Sequence, residues 1–159
     1  MFVGHGIVAP ERQWDDYGDA DVRGRIVVVV AGEPAGERFN GAYATNYESG
    51  EYKADEAFRR GATGIITLVA QPASSSAWQR VVRGAARTRT LTPGAADLEF
   101  SASVPHDTAL AWAAAAGIDI EQIADIADGA FRAVPLPGIA LSLDAAETID
   151  TLVTHNLLA

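Results

Sequence analysis

The apolar residues near the start of the chain fall into short strand-like runs. Phe2 to Ala9 is bounded by Pro10, and Arg25 to Ala31 contains four consecutive valines. A continuous β-branched run is typical of a strand covered on both faces, so we predict that Arg25 to Ala31 is the central strand of a sheet. Glu11 to Gly24, between these runs, is rich in polar and turn-forming residues and predicts a surface loop.

A helix and a second buried strand are predicted next. Ser49 to Arg60 has apolar residues at helical spacing, and Gly61 is the residue type that closes a helix in the left-handed conformation. Gly64 to Ala70 then supplies another run rich in isoleucine, leucine and valine. Strand, helix and strand together predict a βαβ unit with parallel strands and a right-handed crossover.

The later apolar pattern differs. Leu98 to Val104 and Ile139 to Leu143 alternate apolar with polar or small residues, which predicts strands that bury one face. Helices are predicted over Asp107 to Ala116 and, from a capping-box pattern, over Asp119 to Asp128. The length of 159 residues favours one domain, 1–159. We therefore expect a mixed α/β fold rather than a purely parallel one.

Composition excludes several classes of function. Twelve Lys plus Arg against 21 Asp plus Glu give a formal net charge of −9, which is unfavourable for binding nucleic acid. No cysteine is present, so disulfides and thiolate zinc sites are excluded. The longest apolar run, Ala109 to Ala116, is far below the roughly 20 residues of a membrane helix, so no membrane partner is expected.

Candidate catalytic groups are few. His5, His106 and His155 have no second histidine at the spacing that lets one helix present two metal ligands. Asp15 and Asp16 are adjacent carboxylates, but their turn-rich segment favours a role in binding backbone N–H groups over acid–base catalysis. We predict no catalytic residue and no metal ligand in this chain.

Aromatic and basic residues suggest contact surfaces instead. The candidate residues for contact with a peptide or a partner domain are Tyr43, Asn46, Tyr47, Tyr52 and Trp78. The alternative, which the pattern favours, is that the tyrosines seal the edge of the core. A basic run has no acid within it and predicts a solvated loop that faces the acidic surface of the protein; its members are Arg80, Arg83, Arg87 and Arg89.

The order and spacing of several segments resemble the protease-associated domain that is inserted in bacterial zinc aminopeptidases of the two-metal type. The segments that carry the resemblance are Gly4 to Pro10, Trp14-Asp15-Asp16-Tyr17, Asp21 to Val29, Tyr52-Lys53 with Glu56-Ala57, Arg60 to Ile65, Ala115 to Asp119, and Asn156. His5 stands where the family has a tyrosine, and Arg80 to Arg89 does not follow the family pattern.

The resemblance implies a swivelling β/β/α architecture, with a parallel layer, an antiparallel layer and flanking helices. It implies a non-catalytic accessory domain that borders the active-site cleft and influences access or protein interaction. The expected partners are the peptidase domain of the same parent chain and peptide substrates. Zinc is expected in that peptidase domain and no cofactor in this chain. The parent is expected to be secreted, periplasmic or associated with the cell envelope.

A different class of function remains open beside this one. An independent enzyme, or a phosphohistidine carrier, can use the same swivelling architecture. A carrier requires an exposed histidine in a turn of small residues before a helix, and His106 is the nearest candidate.

Overall fold

The computed structural model describes residues 1–39, 41, 43–85, 98–115, 117, 133–137, 140 and 141. These ranges form a mixed α/β fold with a three-stranded parallel sheet, a small antiparallel pair and three α-helices. The strands and helices are β1 (Val8–Ala9), β2 (Trp14–Asp15), β3 (Ile26–Val30), α1 (Gly50–Arg59), β4 (Gly64–Val69), α2 (Ser76–Ala85), β5 (Phe100–Pro105) and α3 (His106–Ala115).

The parallel sheet has the order β3-β4-β5. Val28 of β3 is opposite Ile66 of β4, which is opposite Ala102 of β5. The predicted βαβ unit with parallel strands is confirmed, and of the three strands β4, not the valine-rich β3, is the middle one. On its other side β3 is flanked by the N-terminal residues. Phe2 forms a bridge with Val28, and the N–H groups of Val3, Val28 and Val30 bond to the carbonyls of Val28, Met1 and Gly4. A run of valines indicates that a strand is buried on both faces of its sheet. It does not indicate how many strands lie on either side of it.

Both faces of the sheet are covered. On one face Val27, Val29 and Ile65 pack against Ala57 of α1. On the other face Val28, Ile66 and Leu68 pack against Ala109 of α3. The valine run is therefore buried on both sides, as its composition predicts.

The predicted first strand, Phe2 to Ala9, is wrong over most of its length. Gly4 and Gly6 have φ values of +54° and +69°, and this left-handed backbone turns the chain between Phe2 and β1. A Cβ on Gly6 would lie 2.7 Å from Cγ1 of Val29, so the turn also depends on the close approach that glycine allows.

The predicted surface loop, Glu11 to Gly24, is wrong in part. Its residues Trp14 and Asp15 form β2, which pairs antiparallel with β1. Trp14, Tyr17 and Val22 are buried. These three apolar side chains anchor a segment whose many polar residues suggested exposure.

The boundaries of α1 agree with the sequence. Ser49 caps its N-terminus, with the side chain accepting a hydrogen bond from the N–H of Glu51 at 3.2 Å. Gly61 follows the helix with a φ of +78°. Both ends thus have the residue types that helix termini favour.

The basic run is partly helical, in contrast to the predicted loop. Arg80 and Arg83 belong to α2, in which Trp78, Val81 and Val82 recur at helical spacing. The charges obscured this amphipathic pattern. Arg87 and Arg89 lie outside the described residues.

The later elements agree with the sequence where the structure describes them. β5 exposes Ser101 and Ser103 and half-buries its alternate residues, as a strand with one buried face should. α3 corresponds to the predicted helix at Asp107. The helix predicted over Asp119 to Asp128 and most of the strand predicted over Ile139 to Leu143 lie outside the described residues. No helix among the described residues is long and apolar enough to cross a bilayer.

The contact between β4 and β5 yields a stability prediction. A Cβ added to Gly64 would lie 2.7 Å from Cζ of Phe100, so Gly64→Ala should destabilise the domain by about 1–3 kcal/mol through overpacking. Thermal unfolding of Gly64→Ala, Phe100→Leu and the double variant measures the coupling, and the double variant should lose less than the sum of the two single losses. Gly84→Ala is the control, because its Cβ meets nothing within 4 Å and it lies within helix α2.

Candidate functional site

The aromatic candidates are only partly assembled into one cluster. The ring of Trp14 contacts Phe39, Phe39 contacts Tyr47, and Tyr47 contacts Tyr52, with centroid separations of 5.0, 6.0 and 5.0 Å. All three contacts are edge-to-face, which is a favourable arrangement of aromatic quadrupoles. The guanidinium of Arg12 lies over two of these rings, 5.5 Å from Phe39 and 5.6 Å from Tyr47.

The hydroxyls of the two clustered tyrosines are already engaged. Tyr52 donates a hydrogen bond to the carbonyl of Val8 at 2.8 Å and accepts one from the N–H of Val8 at 3.1 Å. The hydroxyl of Tyr47 donates to Glu11 at 2.6 Å. Tyr52 thereby satisfies both backbone groups of an edge-strand residue, which favours the structural role over contact with a peptide.

The remaining candidate residues lie apart from that pair. Tyr43 is 75% exposed, and Asn46 is exposed at the start of a short 3₁₀ turn, Asn46–Glu48. Trp78 is half-buried on α2. Of the five candidates, Tyr43 and Asn46 are therefore the two whose side chains are presented to solvent.

The segment that carries Tyr43 is closed by a carboxylate. Glu33, just after β3, accepts hydrogen bonds from the N–H of Thr45 at 2.9 Å and from the Thr45 hydroxyl. The two residues are 12 positions apart, so this contact ties the ends of the segment. The segment is thus a loop whose two ends are held together, and surface loops commonly carry binding residues.

A buried lysine lies at the carboxyl end of β3. Lys53 on α1 is 1% exposed, and its Nζ donates hydrogen bonds to the carbonyl of Val30 at 2.7 Å and to the carbonyl of Gly32. Nδ1 of His5 lies 3.2 Å from the same Gly32 carbonyl. The two side chains together hold the point where the chain leaves the sheet.

Asp16 is the acidic member of this region. It is 1% exposed, and Oδ2 accepts a hydrogen bond from the N–H of Ile7 at 2.9 Å. Burial raises the pKa of its carboxyl group to about 6. The predicted surface loop implied an exposed side chain at this position, and for Asp16 that prediction is wrong. Its role is still to bind a backbone N–H, as predicted.

Burial also shifts the pKa values of the two basic side chains, His5 and Lys53. It lowers the pKa of His5 to about 4, with the charge of Lys53 acting in the same direction. It lowers the pKa of Lys53 to about 8, while Asp16 and then Glu33 oppose the shift. Imidazole is therefore neutral at pH 7, and the hydrogen bond to Gly32 requires its proton on Nδ1.

This buried polar cluster, consisting of His5, Asp16 and Lys53, is suited to structure rather than catalysis. Shifted pKa values often mark active sites, but a reacting group must also reach a substrate. Lys53 and Asp16 are almost inaccessible, and the bonds of Lys53 go to backbone carbonyls. The cluster joins α1, the end of β3 and the turn before β1.

Among the described residues, His106 is not part of an assembled site. His106 is the first residue of α3 and is half-buried, with its N–H bonded to the carbonyl of Gln71 at 3.0 Å. His155 lies outside the described residues. Within the part of the chain that the structure describes, no three His, Cys, Asp or Glu side chains group as metal ligands do.

Comparison with known proteins gives no identification. No family model matches the chain. No curated protein and no solved structure matches it either.

The sequence contained one usable signal for the buried cluster. Lys53 is the only lysine in the chain, and it lies four residues before the buried Ala57, on the same face of α1. A lysine on the apolar face of a helix is unusual, because its charge must find hydrogen-bond acceptors there.

The burial of this unique lysine can be measured directly. We expect an amine-reactive reagent to leave Lys53 unmodified in the folded chain, with a rate at least about 100-fold below that in denaturant, because labelling requires local or global opening. Mass spectrometry of the proteolytic peptide that contains Lys53 measures the rate. Equal labelling in the folded and unfolded chains would contradict the buried position.

Proposed function

We propose that this chain is the protease-associated domain of a two-zinc aminopeptidase and acts as a non-catalytic accessory module. In the parent it borders the active-site cleft and limits which peptides enter. The two zinc ions belong to the peptidase domain, and this chain contributes no metal ligand. The parent works outside the cytoplasm, as a secreted, periplasmic or envelope-associated enzyme.

The observation that carries the proposal is the contact between two of the segments on which the resemblance rests. The segment Trp14 to Tyr17 and the helix that contains Lys53 are far apart in sequence, yet their residues form one interlocked unit. Arg60, at the end of that helix, lies 3.7 Å from Asp15, and its guanidinium is 4.5 Å from the centroid of the Tyr17 ring. Asp16 and Lys53 attract each other inside. These contacts hold the fold together, so the two segments are characteristic of a type of domain and not of a reaction.

The loop with Tyr43 supports the position at a cleft. It leaves the sheet at the carboxyl end of a parallel strand, which is the end where α/β sheets usually form ligand crevices. Its ends are held together by the bond between Glu33 and Thr45. Tyr43 within the loop and Asn46 just after it are exposed. An exposed tyrosine and an amide offer apolar area and hydrogen-bonding groups to a peptide.

The proposal is tested in the full-length parent. Tyr43→Ala with Asn46→Ala should change the ratio of kcat/KM between long and short peptides by about 3–30-fold, the effect of about 0.7–2 kcal/mol of contact, with unchanged zinc content. Tyr47→Phe is the matched control, because the hydroxyl it removes is bonded internally to Glu11. Identical ratios for wild type and the double variant would remove the role at the cleft.

A further inference from the structure

Helix α2 is attached to the fold without entering its core. None of its residues is buried, although it connects β4 with β5. Its inward residues Ala77, Trp78 and Val81 are half-buried, and Val82 is 45% exposed. The outer side of α2 therefore carries Arg80 and Arg83, while Val82 lies about 160° around the helix from Arg80.

The charge of this surface is unbalanced. Arg80 and Arg83 are exposed and form no ion pair among the described residues. No aspartate or glutamate occurs anywhere between Glu56 and Asp97. Arg80 and Arg83 are three residues apart and share one side of α2, and we call them the basic stripe. In a chain of net charge −9, such a stripe is drawn to any acidic surface.

Helix α1 carries a surface of the opposite kind. Glu51, Asp55 and Phe58 are all exposed and lie at positions i, i+4 and i+7, so they share the outer side of the helix. Phe58 is 44% exposed, and the two carboxylates form no ion pair among the described residues. The neighbouring Arg59 is already paired with Glu56 at 2.5 Å. We call Glu51, Asp55 and Phe58 the acidic stripe.

We infer that the basic stripe of α2 binds the acidic stripe of α1 on a second copy of this chain. In this contact the two carboxylates of the acidic stripe face the two guanidinium groups of the basic stripe. Because each copy carries both stripes, a two-fold dimer makes the contact twice, α1 to α2′ and α2 to α1′. This inference concerns self-association and does not depend on the proposed function.

The small area of the two stripes limits the affinity of the dimer. Each helix has 10 residues and is about 15 Å long, so even two such contacts stay at the low end of interface areas, below about 1,200 Å². Exposed charges contribute most of the complementarity, and salt screens them. We expect a weak dimer with a dissociation constant on the order of 0.1 mM at low salt.

Exchange of the charges tests the pairing. The variant Arg80→Glu/Arg83→Glu has two acidic helices, and the variant Glu51→Arg/Asp55→Arg has two basic ones. Sedimentation equilibrium should show each variant associating at least about tenfold more weakly than wild type. An equimolar mixture should recover association to within about threefold, because each acidic helix then meets a basic one on the other variant.

The control separates local pairing from net charge. Arg23→Glu/Arg25→Glu reverses two exposed arginines elsewhere and, like the α2 variant, changes the net charge from −9 to −13. It should keep wild-type association to within about threefold. Circular dichroism and thermal unfolding establish that every variant is folded. A wild-type chain that stays monomeric to about 1 mM at low salt, or mixed variants that do not associate, would overturn the inference.

Discussion

Val29→Asp should unfold the domain. Val29 is fully buried between the sheet and α1, in the same cluster as Val3 and Tyr17. An aspartate there would be an unpaired buried charge or a protonated acid without its hydrogen bonds, and either state costs on the order of 3–5 kcal/mol. That loss is a large part of the total stability of a domain of this size.

Thermal and urea unfolding measure the effect, with Val82→Asp as the matched control. Val82 is partly exposed on α2, so the same substitution should change the free energy of unfolding by less than about 1 kcal/mol. A Val29→Asp chain that unfolds at the wild-type midpoint would show that the valine strand is not the core of the sheet.

The second large effect concerns pH and the buried Asp16. Its pKa in the folded chain is raised from 3.8 to about 6, so the folded state binds more protons between these values. Stability from this group is therefore complete below about pH 4 and is lost as the pH rises through 6. The cost at neutral pH is about 3 kcal/mol. Asp16→Asn removes the titrating carboxyl group. Its free energy of unfolding should therefore increase relative to that of the wild type by about 3 kcal/mol as the pH rises from 4 to 6.

His5 acts in the opposite direction over nearly the same range. Its pKa is lowered from 6.5 to about 4, so the unfolded state binds more protons, and stability is lost as the pH falls from 6.5 to 4. The two groups offset each other in the wild type. In Asp16→Asn the histidine is left alone, and the free energy of unfolding should fall by about 3 kcal/mol over this range.

Urea unfolding at several pH values between 4 and 7 tests both effects, and Asp19→Asn is the control because Asp19 is exposed. The difference between each variant and wild type isolates the substituted group from the other carboxylates. Parallel curves for Asp16→Asn and wild type across the range would contradict the buried carboxylate.

The sequence predicted the elements that depend on the spacing of apolar residues or on a single residue type at a helix end. The valine run, α1 with the closing Gly61, and the β4 strand all lie where the sequence places them. The mixed α/β class followed from the contrast between continuous and alternating apolar runs. These features are local, so a single sequence suffices to predict them.

The errors arose where tertiary contacts override local composition. Gly4 and Gly6 turn a strand-like sequence because glycine adopts positive φ without strain. The polar segment at β2 is held in place by Trp14, whose partner Phe39 is distant in sequence. Helix α2 was not predicted, because its arginines made the segment resemble a solvated loop. None of these outcomes follows from hydrophobic periodicity alone.

The candidate site was predicted in part. The alternative in which the tyrosines seal the core fits Tyr47 and Tyr52, while Tyr43 and Asn46 stay free to contact a partner. The cluster of His5, Asp16 and Lys53 was missed, because a buried charge is stabilised by backbone carbonyls and amides that only the folded chain brings together.

The central claim, that the chain belongs to a two-zinc aminopeptidase, has one direct test. Sequencing the reading frame on both sides of residues 1–159 shows what this domain is joined to. We expect peptidase segments in the same frame before and after it, with histidine, aspartate and glutamate ligands for two zinc ions and a glutamate as general base. A frame that encodes an unrelated enzyme around this domain would contradict the account.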